Sequence, residues 1–209
     1  MFRAHSVGES GVRFRSAAVM DAEPREVTAA HYGRTAVLLH WVTAFALFGQ
    51  IAFGFLLDEI APRGTPARAG TINLHKSFGL VLALVIVSRL LWRLSHPPPG
   101  LPLTLPDWQR RAAPIGHRAL YACMLVMPAS GYIASNFSKH GIKLFGFPLA
   151  PWGPDNPAVY AFFNGVHIGT AYLLCILIAG HIAMAMKHAL IDRDDIFGRI
   201  WPRPRHPIA

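Results

Sequence analysis

Four histidines in apolar surroundings carry the chemistry open to this chain: His40, His75, His167 and His181. The last two share one apolar run, GVHIGTAYLLCILIAGHIAMAMKH, and lie fourteen positions apart. At about 3.6 residues per turn this is close to four whole turns, so both rings project from one side of a helix, roughly 21 Å apart along its axis. A hydrocarbon layer of about 30 Å then holds one imidazole near each interface. Polar rings within a membrane are costly, and they mark a use. Neutral imidazole is a good axial ligand for iron, and two facing imidazoles close both axial positions of a flat metal cofactor. Such a centre suits electron transfer better than oxygen chemistry at the metal.

The elements that must position these rings are apolar spans. With four spans drawn, the first runs from about Thr35 to Leu57, with His40 near its start, and the second from about Ile72 to Leu94, with His75 near its start. The third runs from about Ile115 to Phe137, with Pro128 expected to kink it. The fourth runs from about Val159 to Ala189. Successive spans alternate in direction, so His40 matches His181 in depth and His75 matches His167. The spacing thus predicts an all-α membrane protein, a four-transmembrane-helix bundle enclosing two haems on the pairs His40/His181 and His75/His167. A single zinc or iron ion fits less well, because its ligands would have to converge on one point.

Composition agrees with a membrane protein. Of 209 residues, 53% are apolar and only 15% charged, against about 25% charged in soluble domains. The formal net charge of +9 flanks the apolar runs, so topology and anionic headgroups explain it better than nucleic acid does. Arg34, Arg89, Arg93, Arg110, Arg111, Arg118, Lys187, Arg193 and Arg199 fall on one side of the four spans, which predicts both termini to be cytoplasmic. Residues 1–33 read as a poorly ordered tail, 34–199 as the membrane domain and 200–209 as a basic tail. Met20 is a second candidate start. Cys123 and Cys175 lie in apolar runs, and the absence of a CxxCH motif excludes covalent haem attachment.

His96 to Pro114, rich in proline, reads as an interfacial linker with Trp108 as an anchor. Ser138 to Ala158 reads as an irregular cap over the opposite end. His117 and His188, at cytoplasmic span ends, are candidates for a proton or quinone site, with a plain interfacial histidine as the alternative. Gly49, Gly54, Gly79, Gly131, Gly165, Gly169 and Gly180 on the spans read first as helix-packing positions, with close approach of a porphyrin as the alternative. Arg63, Arg68, Lys76, Lys139 and Lys143 outnumber Asp58, Glu59 and Asp155 on the predicted outer face. They would steer a small anion, or serve as ordinary solvated loop charge. Lys76, beside His75, could instead neutralise a haem propionate.

The segments RTAVLLHW, NLHKSFGL, GVHIGTAYLL and AGHIAMAMKH, with RLLWRLSHPPP and FGFPLAPW, resemble the bacterial di-haem cytochrome b561 family from about Tyr32 to Arg199. The resemblance implies two haem b groups in a multi-pass protein of the bacterial inner membrane. It implies electron exchange between a periplasmic donor, a small anion or a protein, and the quinone pool, with ubiquinone as acceptor. One branch of the family oxidises superoxide and reduces ubiquinone. The N-terminal extension is longer than the family leads one to expect. Two other readings stand beside this one: a cytochrome subunit anchoring a separate dehydrogenase or hydrogenase, and a non-haem metal or proton transporter.

Overall fold

The computed structural model describes residues 31–201. Met20 and nearly all of the two tails lie outside them. The described chain forms α1 (Arg34–Phe55), a one-turn α2 (Leu57–Ile60), α3 (Ala67–Ser95), α4 (Asp107–Asn136) and α5 (Pro157–Met186). The last helix continues as a π-helical turn, Lys187–Asp192, followed by a 3₁₀ turn, Phe197–Ile200.

Each boundary has a local cause. Asn156 caps α5, accepting from the amides of Ala158 and Val159 at 3.1 and 3.2 Å, and Pro157 follows at the first helical position. Arg193, in left-handed conformation (φ 51°), ends the π-helical turn. The linker expected to extend to Pro114 is shorter than that. Pro106 takes the N-cap position and Asp107 the first turn, so α4 starts there and runs through Pro114. A proline inside a helix removes one ladder bond and crowds the preceding turn, and α4 accommodates two, Pro114 and Pro128.

Three of the long helices are both long and apolar enough to cross a membrane: α1, α3, and α5 with its π-helical extension. The fourth, α4, is equally long but more polar along its length, with Ser130, Ser135 and Asn136 toward one end and Asp107, Arg110 and Arg111 at the other. Ser130, Ser135 and Asn136 are turned inward and satisfied locally. Ser130 donates to the Val126 carbonyl at 2.7 Å, Ser135 to Gly131 at 2.8 Å, and Asn136 to Tyr132 at 2.9 Å. Hydroxyls bonded back to the preceding turn carry no unpaired donor into an apolar medium.

In packing, α1 runs along α3, α4 runs along α5, and α3 meets α4 to join the two pairs. Leu47, Ile51, Leu82, Ile86, Met124, Met127 and Leu174 fill the centre. Phe45, Phe48, Leu84, Phe162 and Ile176 face outward and are largely exposed. An apolar shell of this extent is what lipid, rather than water, requires of a surface.

The two ends differ. At the terminal end, the residues entering α1 meet those leaving α5. The Tyr32 amide bonds the Arg199 carbonyl, Trp41 Nε1 donates to the Ile200 carbonyl at 3.0 Å, and Arg199 donates to Gly100 of the α3–α4 linker at 2.9 Å. At the opposite, hairpin end, the expected irregular cap contains a regular element. β1 (Ile142–Leu144) and β2 (Phe147–Leu149) pair antiparallel. Phe145 and Gly146 between them both have positive φ, 47° and 99°, as tight hairpin turns demand. The hairpin is pinned to α3 by residues flanking His75. Lys76 Nζ donates to the Gly141 carbonyl at 2.7 Å, Ser77 Oγ to the Lys143 carbonyl at 3.1 Å, and the Phe145 amide to Ser77 Oγ at 2.9 Å.

Candidate functional site

The bundle brings the four histidines together in two pairs. At the hairpin end, His75 of α3 faces His167 of α5, with ring centres 6.3 Å apart and ring planes nearly perpendicular. At the terminal end, His40 of α1 faces His181 of α5, also at 6.3 Å, with planes at 52°. The separation can be compared with ligation. Two metal–imidazole bonds of about 2.0–2.1 Å, with roughly 1.1 Å from each nitrogen to its ring centre, span about 6.3 Å. Two facing rings at this distance leave room for one metal atom between them. A tetrapyrrole would supply the further metal ligands that two histidines cannot.

The surroundings of the rings fit such a role. His167 Nδ1 lies 2.7 Å from the Met127 carbonyl of α4, to which it donates. That bond fixes the tautomer and leaves the Nε2 lone pair available to a metal. The ring comes this close because residue 131, one turn on in α4, is glycine: a Cβ there would lie 2.8 Å from His167 Nδ1 and 3.0 Å from Cε1. Gly54 does the same for His75, where a Cβ would lie 3.1 Å from Cε1. Gln50 donates from Nε2 to the His75 carbonyl at 2.7 Å, and the same nitrogen sits 3.2 Å from His75 Nδ1. The residues around the hairpin-end pair therefore fit an iron porphyrin, and the terminal-end pair has the same ring spacing.

His117 belongs to the terminal-end cluster, its ring centre 5.4 Å from that of His181. His188 is placed differently. It lies where α-helical geometry gives way to the π-helical turn, and its buried Nδ1 sits 2.8 Å from Asp194 and 3.4 Å from Asp192. Its partners are thus a carboxylate at the end of the same turn and one in the loop after it. The expected set of steering cations also divides. Arg68 pairs with Asp58 at 2.7 Å and donates to the Leu57 and Ala61 carbonyls, so it ties the α1–α3 connection. Arg63 lies 3.8 Å from the same carboxylate. Lys76 is committed to the hairpin backbone. Lys139 and Lys143 are exposed.

Two residues near the rings are not among those singled out from the sequence. Gln50 is a lone amide in an apolar run, which is a signal in itself. Arg89 is a charge a turn and a half inside the end of α3, and counting it only as a topology marker hides its contact with His40. Cys123 and Cys175 are free thiols, as their apolar settings predict.

The family model for prokaryotic cytochrome b561 matches residues 31–203. The chain is 33% identical over 175 residues to cytochrome b561 homolog 2 of Escherichia coli (strain K12), covering 83% of this chain and 92% of that protein. It is 27% identical over 173 residues to cytochrome b561 homolog 1 of the same organism, covering 82% and 97%. The chain belongs to the prokaryotic cytochrome b561 family, multi-pass membrane redox proteins that carry electrons by way of b-type haem.

Proposed function

We propose that this protein binds two haem b groups, one on His40/His181 and one on His75/His167, and carries electrons between a donor at its hairpin end and the membrane quinone pool. The observation that carries the reading is the pair of 6.3 Å ring separations at two levels of one bundle. On this reading α4 also crosses the membrane, as the third of four spans, the hairpin end is periplasmic and both termini are cytoplasmic. Haem b, when bound, supplies a one-electron carrier at each level.

The chain's own residues do the rest. His167, held by the Met127 carbonyl, presents a fixed ring nitrogen, and Gln50 restrains His75. Each histidine pair would hold its haem from both sides and would leave no open position at iron for a small molecule. Superoxide is the proposed donor and ubiquinone the proposed acceptor. Exposed Lys139 and Lys143 at the hairpin end support an anionic donor by attraction at long range. His117 in the terminal-end cluster and His188 with its two carboxylates are the groups available to contact a quinone or deliver its protons.

The test is a reduced-minus-oxidised optical spectrum of purified protein with haem quantification, followed by turnover with superoxide and a short-chain quinone. Two haem b per chain, and quinone reduction beyond the uncatalysed background, are expected. A colourless protein after reconstitution with ample haem refutes the proposal. Two haems without turnover refutes the superoxide assignment alone.

A further inference from the structure

Arg89 sits within the bundle beside His40, its guanidinium nitrogen 2.9 Å from His40 Nδ1. It also lies over the ring of Tyr121 of α4, 5.3 Å from the ring centre, with Arg93, one turn on, at 5.9 Å from the same ring. Among the described residues, no Asp or Glu forms an ion pair with either guanidinium. Two cations on one face of a membrane helix, sharing one aromatic ring and no carboxylate, are costly to keep away from water.

The contact with His40 cannot persist once that ring ligates a metal through Nε2. Guanidinium only donates, so in this arrangement His40 Nδ1 accepts and the ring proton sits on Nε2. Ligation through Nε2 requires the proton on Nδ1, where it opposes the guanidinium. Metal binding at His40 therefore displaces Arg89, and the displaced charge needs an acceptor within reach. Haem b brings two propionate carboxylates of its own, and the guanidinium fork matches a carboxylate in a two-point contact.

We propose that Arg89, with Arg93 beside it, binds a propionate of the terminal-end haem, exchanging His40 Nδ1 for a cofactor carboxylate as haem enters. This rests on the reading of His40/His181 as haem ligands. Arg89 then acts as a cofactor-binding residue that also tunes the potential. Its positive charge favours the reduced, less positive form of the haem.

The experiment uses the full chain purified with haem, as wild type, Arg89→Gln and Arg89→Lys. Haem loss to excess apomyoglobin and the two midpoint potentials are measured, and the terminal-end haem is identified by its absence from His181→Ala. Arg89→Gln is expected to release the terminal-end haem about tenfold faster or more, since a charge-assisted bond contributes more than a neutral one. Its potential should fall, the hairpin-end haem should be unaffected, and Arg89→Lys should lie between. Unchanged release and potential overturn the proposal. So does a rise in potential, because losing a positive charge beside the haem should lower it. Should Arg89→Gln fail to fold, wild-type protein reconstituted with haem dimethyl ester, which lacks free carboxylates, decides the matter. Faster loss of the ester from the terminal-end site alone supports the proposal, and retention equal to that of haem overturns it. Wild-type protein that binds no haem overturns the ligand reading itself, whereas two haems indifferent to Arg89 overturn only this proposal.

Discussion

Gly131→Ala is a small change with a calculable consequence. The added methyl carbon would stand 2.8 Å from His167 Nδ1, 3.0 Å from Cε1 and 3.6 Å from Cγ. Comfortable carbon contacts begin near about 3.5 Å, so the ring must withdraw by roughly 0.6 Å or the two helices must part. The ring is not free to withdraw, because its Nδ1 is held 2.7 Å from the Met127 carbonyl. Overpacking of this kind costs about 1–3 kcal/mol. Against it stands the gain of about 1 kcal/mol from replacing glycine by alanine inside a helix. The net effect on the bundle is therefore modest, between zero and about 2 kcal/mol of destabilisation by the same two terms. The effect on the His75/His167 pair is larger in kind, because displacing one ring alters a spacing that has to match two metal–nitrogen bonds. Gly131→Ala should fold, keep the terminal-end haem, and lose or spectrally perturb the hairpin-end haem. Gly54→Ala, meeting His75 at 3.1 Å, should do so more weakly, and Gly49→Ala, which meets nothing within 4 Å, should do nothing. Haem-to-protein ratio and the α-band of the reduced protein read all three. An unaltered hairpin-end signal in Gly131→Ala would refute the reasoning.

Other outcomes follow from the same contacts. Either His40→Ala or His181→Ala should lower haem content from two toward one by removing the terminal-end haem, and His75→Ala or His167→Ala by removing the other. Potentiometric titration assigns the survivor, and two full equivalents in any of the four contradict the pairing. Lys139→Glu combined with Lys143→Glu should slow reaction with superoxide several-fold at low ionic strength and flatten its salt dependence. Stopped-flow reduction over a salt series measures this. Asn156→Ala removes the cap on α5 and should cost about 1 kcal/mol, read as a lower melting temperature in detergent with haem content unchanged.

Much of the frame was legible because lipid makes strong demands on sequence. The expected first span, Thr35 to Leu57, lies within two residues of α1 at each end, and the fourth begins two residues from the Asn156–Pro157 start of α5. Periodicity placed His167 and His181 on one side of a helix, and their facing partners follow from alternation alone. What escaped depends on the third dimension. Pro114 reads as a helix breaker by local rules, yet the cost of one lost bond is borne within a long helix started by Pro106 and Asp107. The Phe145–Gly146 turn was hidden because phenylalanine rarely takes positive φ, and contacts from Asn73, Lys76, Ser77 and Phe78 of α3 hold it. Lys76 and Arg68 look like free charge in one dimension, and their carbonyl partners lie 65 and 7 residues away. Gln50 and Arg89 gained meaning only when a facing helix supplied the imidazole beside them.

Each histidine pair joins a ring from the α1–α3 half to a ring on α5, in the α4–α5 half. A ligand gripped by both rings of a pair thus rivets one half of the molecule to the other at two heights, whereas the bare chain joins them by α3 against α4 and by the contacts of Tyr32 and Trp41 with the segment after α5. Anything that binds only the assembled form stabilises it in proportion to its abundance. Cellular supply of the cofactor would accordingly set how long newly made chains survive quality-control proteases, so that iron starvation depletes the polypeptide itself along with its colour.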